Sequence, residues 1–149
     1  MTTKIECLTL ETFPQFVCAY KQFYDQTEKI EMTQTYFENW YKYMMSTIKD
    51  INVMTLLAIT NNCVVGFLIG APLNCYDEKK SIMIDPLWVT FGYRKQNIAQ
   101  RLIKQGERWI QEHRIERIFT MEALDGMYLW SRKKSLGFKP YRTILIKEV

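Results

Sequence analysis

Val89-Thr90-Phe91-Gly92-Tyr93-Arg94-Lys95-Gln96-Asn97-Ile98-Ala99-Gln100-Arg101-Leu102-Ile103 joins an apolar run to an amphipathic one across a short basic loop. It reads as the end of a β-strand, a tight turn, and the first turns of a helix. Ile98, Leu102, Ile103, Trp109, Ile110 and His113 share one helical face, and Arg101, Lys104, Glu107, Arg108 and Glu112 the other. The first N–H groups of a helix have no partner within it, and the helix dipole favours negative charge there. With cationic side chains alongside, this loop suits a phosphorylated ligand.

Working outward, the chain alternates helical and extended patterns. Residues 5–10 alternate polar and apolar positions as a half-buried strand does. Thr12 is a candidate N-cap, with Pro14 in the first turn of a helix that carries Phe16, Val17, Tyr20, Phe23 and Tyr24 at helical spacing. A second helix is expected over residues 34–49, using Phe37, Trp40, Tyr41, Met44, Met45 and Ile48. Its aromatic side chains form either core or the wall of a substrate pocket. Two apolar strands, 53–60 and 63–73, meet at Asn61-Asn62, a dipeptide that tolerates positive φ and so suits a tight hairpin. A polar turn at 76–80 leads into a third strand, 81–90. After the basic loop and its helix, a strand at 115–121, a helix at 128–136 and a strand at 141–146 complete the order β-α-α-β-β-β-α-β-α-β. Such an order implies an α/β (α+β) domain over residues 1–149, with a mixed, mostly antiparallel twisted sheet of about six strands and helices on both faces.

Composition bounds what this domain can be. With 149 residues and 48% apolar content, the chain can bury a core of its own. No apolar run is long enough to span a membrane, and the N-terminus lacks an apolar signal segment, so a soluble cytoplasmic protein is the default expectation. Cys7, Cys18, Cys63 and Cys75 are widely spaced and the chain has one histidine, His113. No zinc site is expected, and the cysteines read as buried free thiols. Charge is uneven. Residues 1–90 hold seven Lys/Arg against ten Asp/Glu, and residues 91–149 hold thirteen against six. A basic C-terminal half fits a ligand with several phosphates, a nucleic acid, or simply solvated helix faces.

The spacing Arg94-x-x-Asn97-x-Ala99, the strand Ile84-Asp85-Pro86-Leu87-Trp88-Val89 and the pair Gly137-Phe138 together resemble the GNAT superfamily of N-acetyltransferases. In that family the loop runs Arg/Gln-x-x-Gly-x-Gly/Ala, and here Asn97 stands where the first glycine is usual. Glycine serves because it lacks a Cβ and accepts positive φ; asparagine is among the least costly substitutes, and Ala99 is small. The resemblance implies acetyl-CoA as cofactor. Its pyrophosphate would lie over Lys95, Gln96, Asn97, Ile98 and Ala99, with Arg94 contributing charge. Proline is confined to strand edges or bulges, and the family carries a bulge where Pro86 falls. The backbone of Leu87, Trp88 and Val89 would then pair with the pantetheine arm, one N–H polarising the thioester carbonyl.

For catalysis, the resemblance makes Asp85 the general-base candidate, because an ammonium must lose a proton before it can attack. Glu122 is a second candidate. Relatives carry a tyrosine proton donor four residues before the C-terminal glycine, and that position is Lys133 here. Lysine can donate a proton or bind a phosphate of CoA, and Tyr128 lies further back. The activity so implied is direct acetyl transfer from acetyl-CoA to a primary amine, either a small molecule or a protein or peptide amine. An acyl-CoA-binding module without catalysis is the alternative, supported by Asn97 and Lys133. A tRNA-directed acetyltransferase ranks third, because the chain lacks the aromatic–basic repeat of base-stacking surfaces. The strand at 141–146 can pair across a homodimer.

Overall fold

The computed structural model describes residues 2–27, 31–121, 137–139, 141 and 147–148. Its elements are β1 (Lys4–Cys7), α1 (Phe13–Thr27), α2 (Gln34–Thr47), β2 (Met54–Thr60), β3 (Cys63–Pro72), β4 (Ser81–Val89), a single 3-10 turn (Phe91–Tyr93), α3 (Ile98–Glu112) and β5 (Arg117–Thr120). They follow the expected order as far as β5. The helix and strand expected at 128–136 and 141–146, together with Glu122, Tyr128 and Lys133, lie outside the described residues. The sheet runs β1-β2-β3-β4-β5, antiparallel except for the parallel β4–β5 pair.

Local sequence accounts for the connections. Asn61 and Asn62 both take left-handed φ, 50° and 61°, and close the β2–β3 hairpin in two residues. The Thr12 carbonyl accepts the Phe16 N–H at 3.0 Å, while its hydroxyl accepts the Thr9 N–H rather than a helical one. The Thr33 hydroxyl caps α2 by accepting the Tyr36 N–H at 3.1 Å.

The central strands β2 and β3 are buried on both faces, which gives two cores. Leu57, Phe67, Ile69 and Trp88 pack under α1 and α2 with Phe13, Phe16, Tyr20, Trp40 and Met44. Met54, Leu56, Ala58, Val65, Leu68, Ile82 and Val89 pack under Ile98 and Leu102 of α3. Each fully enclosed Phe or Leu contributes about 1.5–3 kcal/mol relative to an exposed one. Gly106 lets α3 sit low on the sheet, since a Cβ there would stand 2.8 Å from Leu68 Cδ2.

One expectation is overturned. Cys7, Cys18 and Cys63 are exposed and Cys75 is half-buried, so these free thiols do not belong to the core. Cys7 lies on the edge strand, Cys18 on the outer face of α1, and Cys63 at the end of the hairpin turn. Apolar neighbours in sequence do not bury a residue when side chains alternate between faces.

Candidate functional site

β4 changes character halfway along. From Ser81 to Ile84 it is paired on both sides, with β3 and with Arg117 to Thr120 of β5. Beyond the Ile84–Thr120 pair, no strand among the described residues continues on the β5 side. On the β3 side the register shifts at the same place. Leu68 faces Leu87 and Gly70 faces Ile84, two steps along β3 against three along β4. The extra residue is a bulge spanning Asp85 and Pro86, joined by a cis peptide bond. The bulge expected from Pro86 is therefore present, and it directly follows the last β4–β5 pair among the described residues, Ile84–Thr120.

Beyond the bulge, β4 turns one edge to β3 and the other away from it. Thr90 donates its N–H to the Val65 carbonyl at 2.9 Å, and the Trp88 carbonyl is 2.8 Å from where a Cβ on Gly66 would stand. Trp88 and Thr90 thus turn their backbone groups toward β3, and by alternation Leu87 and Val89 turn theirs to the opposite edge. Asp85, an exposed residue, stands in the bulge, next to the last β4–β5 pair. Leu87, Trp88 and Val89 hold three different positions there. Leu87 is partly exposed, Val89 packs toward α3, and the Trp88 ring lies on the α1/α2 face, 5.3 Å from Phe67 and 6.4 Å from Phe23.

The loop that follows is held by its own contacts. Tyr93 N–H reaches Thr90 O at 3.0 Å, and Arg94 N–H reaches Phe91 O at 3.3 Å. Arg94 Nε donates to Val89 O at 3.0 Å, with its guanidinium 5.5 Å from the Phe91 ring centre. Arg94 therefore staples the loop to β4 as well as bringing charge to it. The Gln96 side chain returns to Gly92 O at 3.5 Å.

Lys95 and Asn97 both adopt left-handed backbone, at φ 66° and 60°. Asn97 is the N-cap of α3, with no hydrogen bond from its side chain. Its backbone takes the conformation that glycine would supply. The first turn of α3 closes with Arg101 N–H on Asn97 O at 3.0 Å. The N–H groups of Ile98, Ala99 and Gln100 precede that bond and have no partner within the helix. Lys95, Gln96 and Asn97 are exposed beside them. Cation, free donors and helix dipole coincide at this point, an arrangement that can hold a phosphate group.

Three features were not legible beforehand: the left-handed Lys95, the Arg94–Val89 staple, and the indole of Trp88. The last has Nε1 buried without a hydrogen-bond partner, a state that costs about 1–3 kcal/mol. Away from this site, His113 stacks on Trp109 at 3.8 Å and its Nδ1 lies 2.8 Å from Trp109 O. Two small cavities, of about 200 and 190 Å³, flank Trp109, the first beside the start of β2 and the second beside the start of β4. They sit at the opposite end of α3 from the loop, about 20 Å away by helix rise.

The described fold is shared with solved structures. The aminoglycoside N-acetyltransferase AAC(6')-Iy, in complex with the bisubstrate analogue CoA-S-monomethyl-acetylneamine, superposes with a TM-score of 0.77 at 13% identity. The match covers 100% of this chain and 99% of that one. The aminoglycoside 6'-N-acetyltransferase AAC(6')-Ih from Acinetobacter baumannii gives 0.75 at 18% identity, covering 99% of each chain. Glucosamine-6-phosphate N-acetyltransferase from Arabidopsis thaliana gives 0.72 at 10%, again covering 99% of each. At these identities the likeness is one of fold. No curated protein sequence matches the chain. The family profile described as Acetyltransferase (GNAT) family matches residues 15–132, a span from α1 past β5 that includes the bulge, the loop and α3. The chain therefore belongs to the GNAT acetyltransferase family.

Proposed function

We propose that the protein transfers an acetyl group from acetyl-CoA to a primary amine by direct attack within a ternary complex. The observation that carries this reading is the bulge at Asp85-Pro86 in β4, a few residues before a helix start whose first N–H groups have no partner within the helix. AAC(6')-Iy, which shares the fold, has been solved with CoA and with a CoA-linked acetylneamine. The amine is a small molecule in that analogue, and a small-molecule amine is the acceptor we favour here.

Bound acetyl-CoA supplies the activated acetyl thioester; the rest is the work of this chain. The N–H groups around residues 95–99 hold the pyrophosphate, with Arg94 and Lys95 adding positive charge. The backbone of Leu87 and Val89, on the edge of β4 turned away from β3, aligns the pantetheine arm, and an N–H there donates to the thioester oxygen as negative charge develops on it. The Val89 carbonyl already accepts from Arg94 Nε. Asp85 takes the proton of the incoming ammonium, directly or through a water, so that the nitrogen presents a lone pair. Glu122 and Lys133 remain candidates for a second carboxylate and a proton donor. None of the four cysteines lies on β4, in residues 90–97 or on α3, which favours direct attack over a covalent acyl-enzyme.

Calorimetry with acetyl-CoA, followed by thiol release across a panel of amines corrected for hydrolysis, tests the reading. Binding with amine-dependent release is expected. Binding without such release would point to an acyl-CoA-binding module, and absence of binding would reject both.

A further inference from the structure

Phe91 is 78% exposed and belongs to neither core. A lone surface phenylalanine needs no explanation by itself. This one meets the arginine of the basic loop twice. Its carbonyl accepts the Arg94 N–H at 3.3 Å, and its ring centre lies 5.5 Å from the guanidinium carbon. That distance falls within the reach of a cation–π contact, for which arginine is the commoner partner.

Arg94 is thereby held at three points: its backbone N–H on Phe91 O, its Nε on Val89 O at 3.0 Å, and its guanidinium against the ring. A guanidinium carries five N–H donors. The Val89 bond uses one, and those on Nη1 and Nη2 have no hydrogen-bond partner among the described residues. They are the pair that can fork onto a phosphate. An exposed arginine side chain ordinarily gives up rotamer freedom when a ligand fixes it. One already held in place gives up less, and more of the contact appears as affinity.

Resting on the acetyl-transfer reading above, we infer that Phe91 is a positioning residue for the cofactor. Its ring holds the Arg94 guanidinium in place and leaves Nη1 and Nη2 to the pyrophosphate of acetyl-CoA. Phe91 acts through Arg94 and does not itself grip the ligand. A lysine at position 94 would keep the charge but lose both the Val89 bond and the planar face.

The test uses the full chain. Calorimetry of the parent with acetyl-CoA comes first. If the parent does not bind, the acetyl-transfer reading falls and this role falls with it, before any variant is made. Phe91→Leu, or Phe91→Met should the first variant melt below the parent, removes the aromatic face and keeps an apolar side chain. It is expected to weaken acetyl-CoA binding about three- to fivefold, whereas Phe91→Tyr keeps the face and the affinity. In an Arg94→Gln background, Phe91→Leu should cost nothing further, because the group it positions is gone. The Arg94 Nε–H signal, identified by its absence from Arg94→Lys, should also shift in Phe91→Leu with no cofactor present. Unchanged affinity in Phe91→Leu overturns the assignment, as does an Nε–H signal that does not move. An equal loss with and without Arg94 overturns it too, and means that the ring meets the cofactor directly. A Phe91→Tyr variant as weak as Phe91→Leu would show instead that the residue only shapes the loop.

Discussion

The two halves of β4 are neighbours in sequence and opposites in construction. From Ser81 to Ile84 the strand is locked between β3 and β5. The Lys80 carbonyl takes the N–H groups of Glu116 and Arg117 at 2.9 and 3.2 Å, and Arg117 pairs with Asp77 at 2.9 Å. From Asp85 to Val89 the same strand is bulged and keeps β3 as its paired neighbour among the described residues. The doubly paired half fixes the position of the bulged half, whose edge away from β3 is paired with no described strand.

Experiments on the bulged half should have the largest effects. Asp85→Asn is expected to lower turnover at neutral pH on the order of 10²-fold, with acetyl-CoA affinity unchanged by calorimetry. An unaltered pH–rate profile in that variant would remove Asp85 as the base. Gly66→Ala attacks the β3 side of the bulged half, where the new Cβ meets the Trp88 carbonyl at 2.8 Å. Backbone there has little room to yield, so a loss of about 1–3 kcal/mol in stability is expected by denaturant titration, together with weaker cofactor binding.

Asn97→Gly should change stability and acetyl-CoA affinity by no more than about 1 kcal/mol, because the backbone is already left-handed. A large loss would mean that the asparagine side chain itself contacts the ligand. The smallest effect belongs to the doubly paired half. Desolvation pushes the Asp77 carboxyl upward, but the hydrogen bonds from Arg117 and the Lys79 N–H, with their charges, outweigh it. Its pKa therefore lies below the ordinary 3.8. A depressed carboxylate stabilises the fold above the unfolded pKa, and that contribution fades as pH falls through the folded value. Asp77→Asn should thus melt slightly lower than the parent at pH 7 and together with it near pH 2, as a surface ion pair would.

Much of this contrast could be read from the residues alone. Pro86 marked the bulge because proline has no N–H for a ladder, and Asn61-Asn62 marked the hairpin because asparagine tolerates left-handed backbone. The period of residues 98–113 located α3. Other features depended on what tertiary structure brings together. Lys95 is not a residue type that favours positive φ, so nothing in the string marked its left-handed backbone. That Arg94 reaches back to Val89 needs the turn to be formed first. The orphaned indole of Trp88 is invisible in a string that shows only an apolar strand. The cysteines misled because sequence neighbours on a strand or at a hairpin end face different ways.

Those cysteines bear on how the chemistry can be watched. A thiol-reactive chromogen that registers liberated CoA will also meet Cys7, Cys18 and Cys63 on the surface of the catalyst. At micromolar protein this is a stoichiometric early burst rather than a rate, easily taken for acetyl release. Because none of the three lies on β4, in the basic loop or on α3, replacing them with serine should silence the burst and leave any true turnover in place.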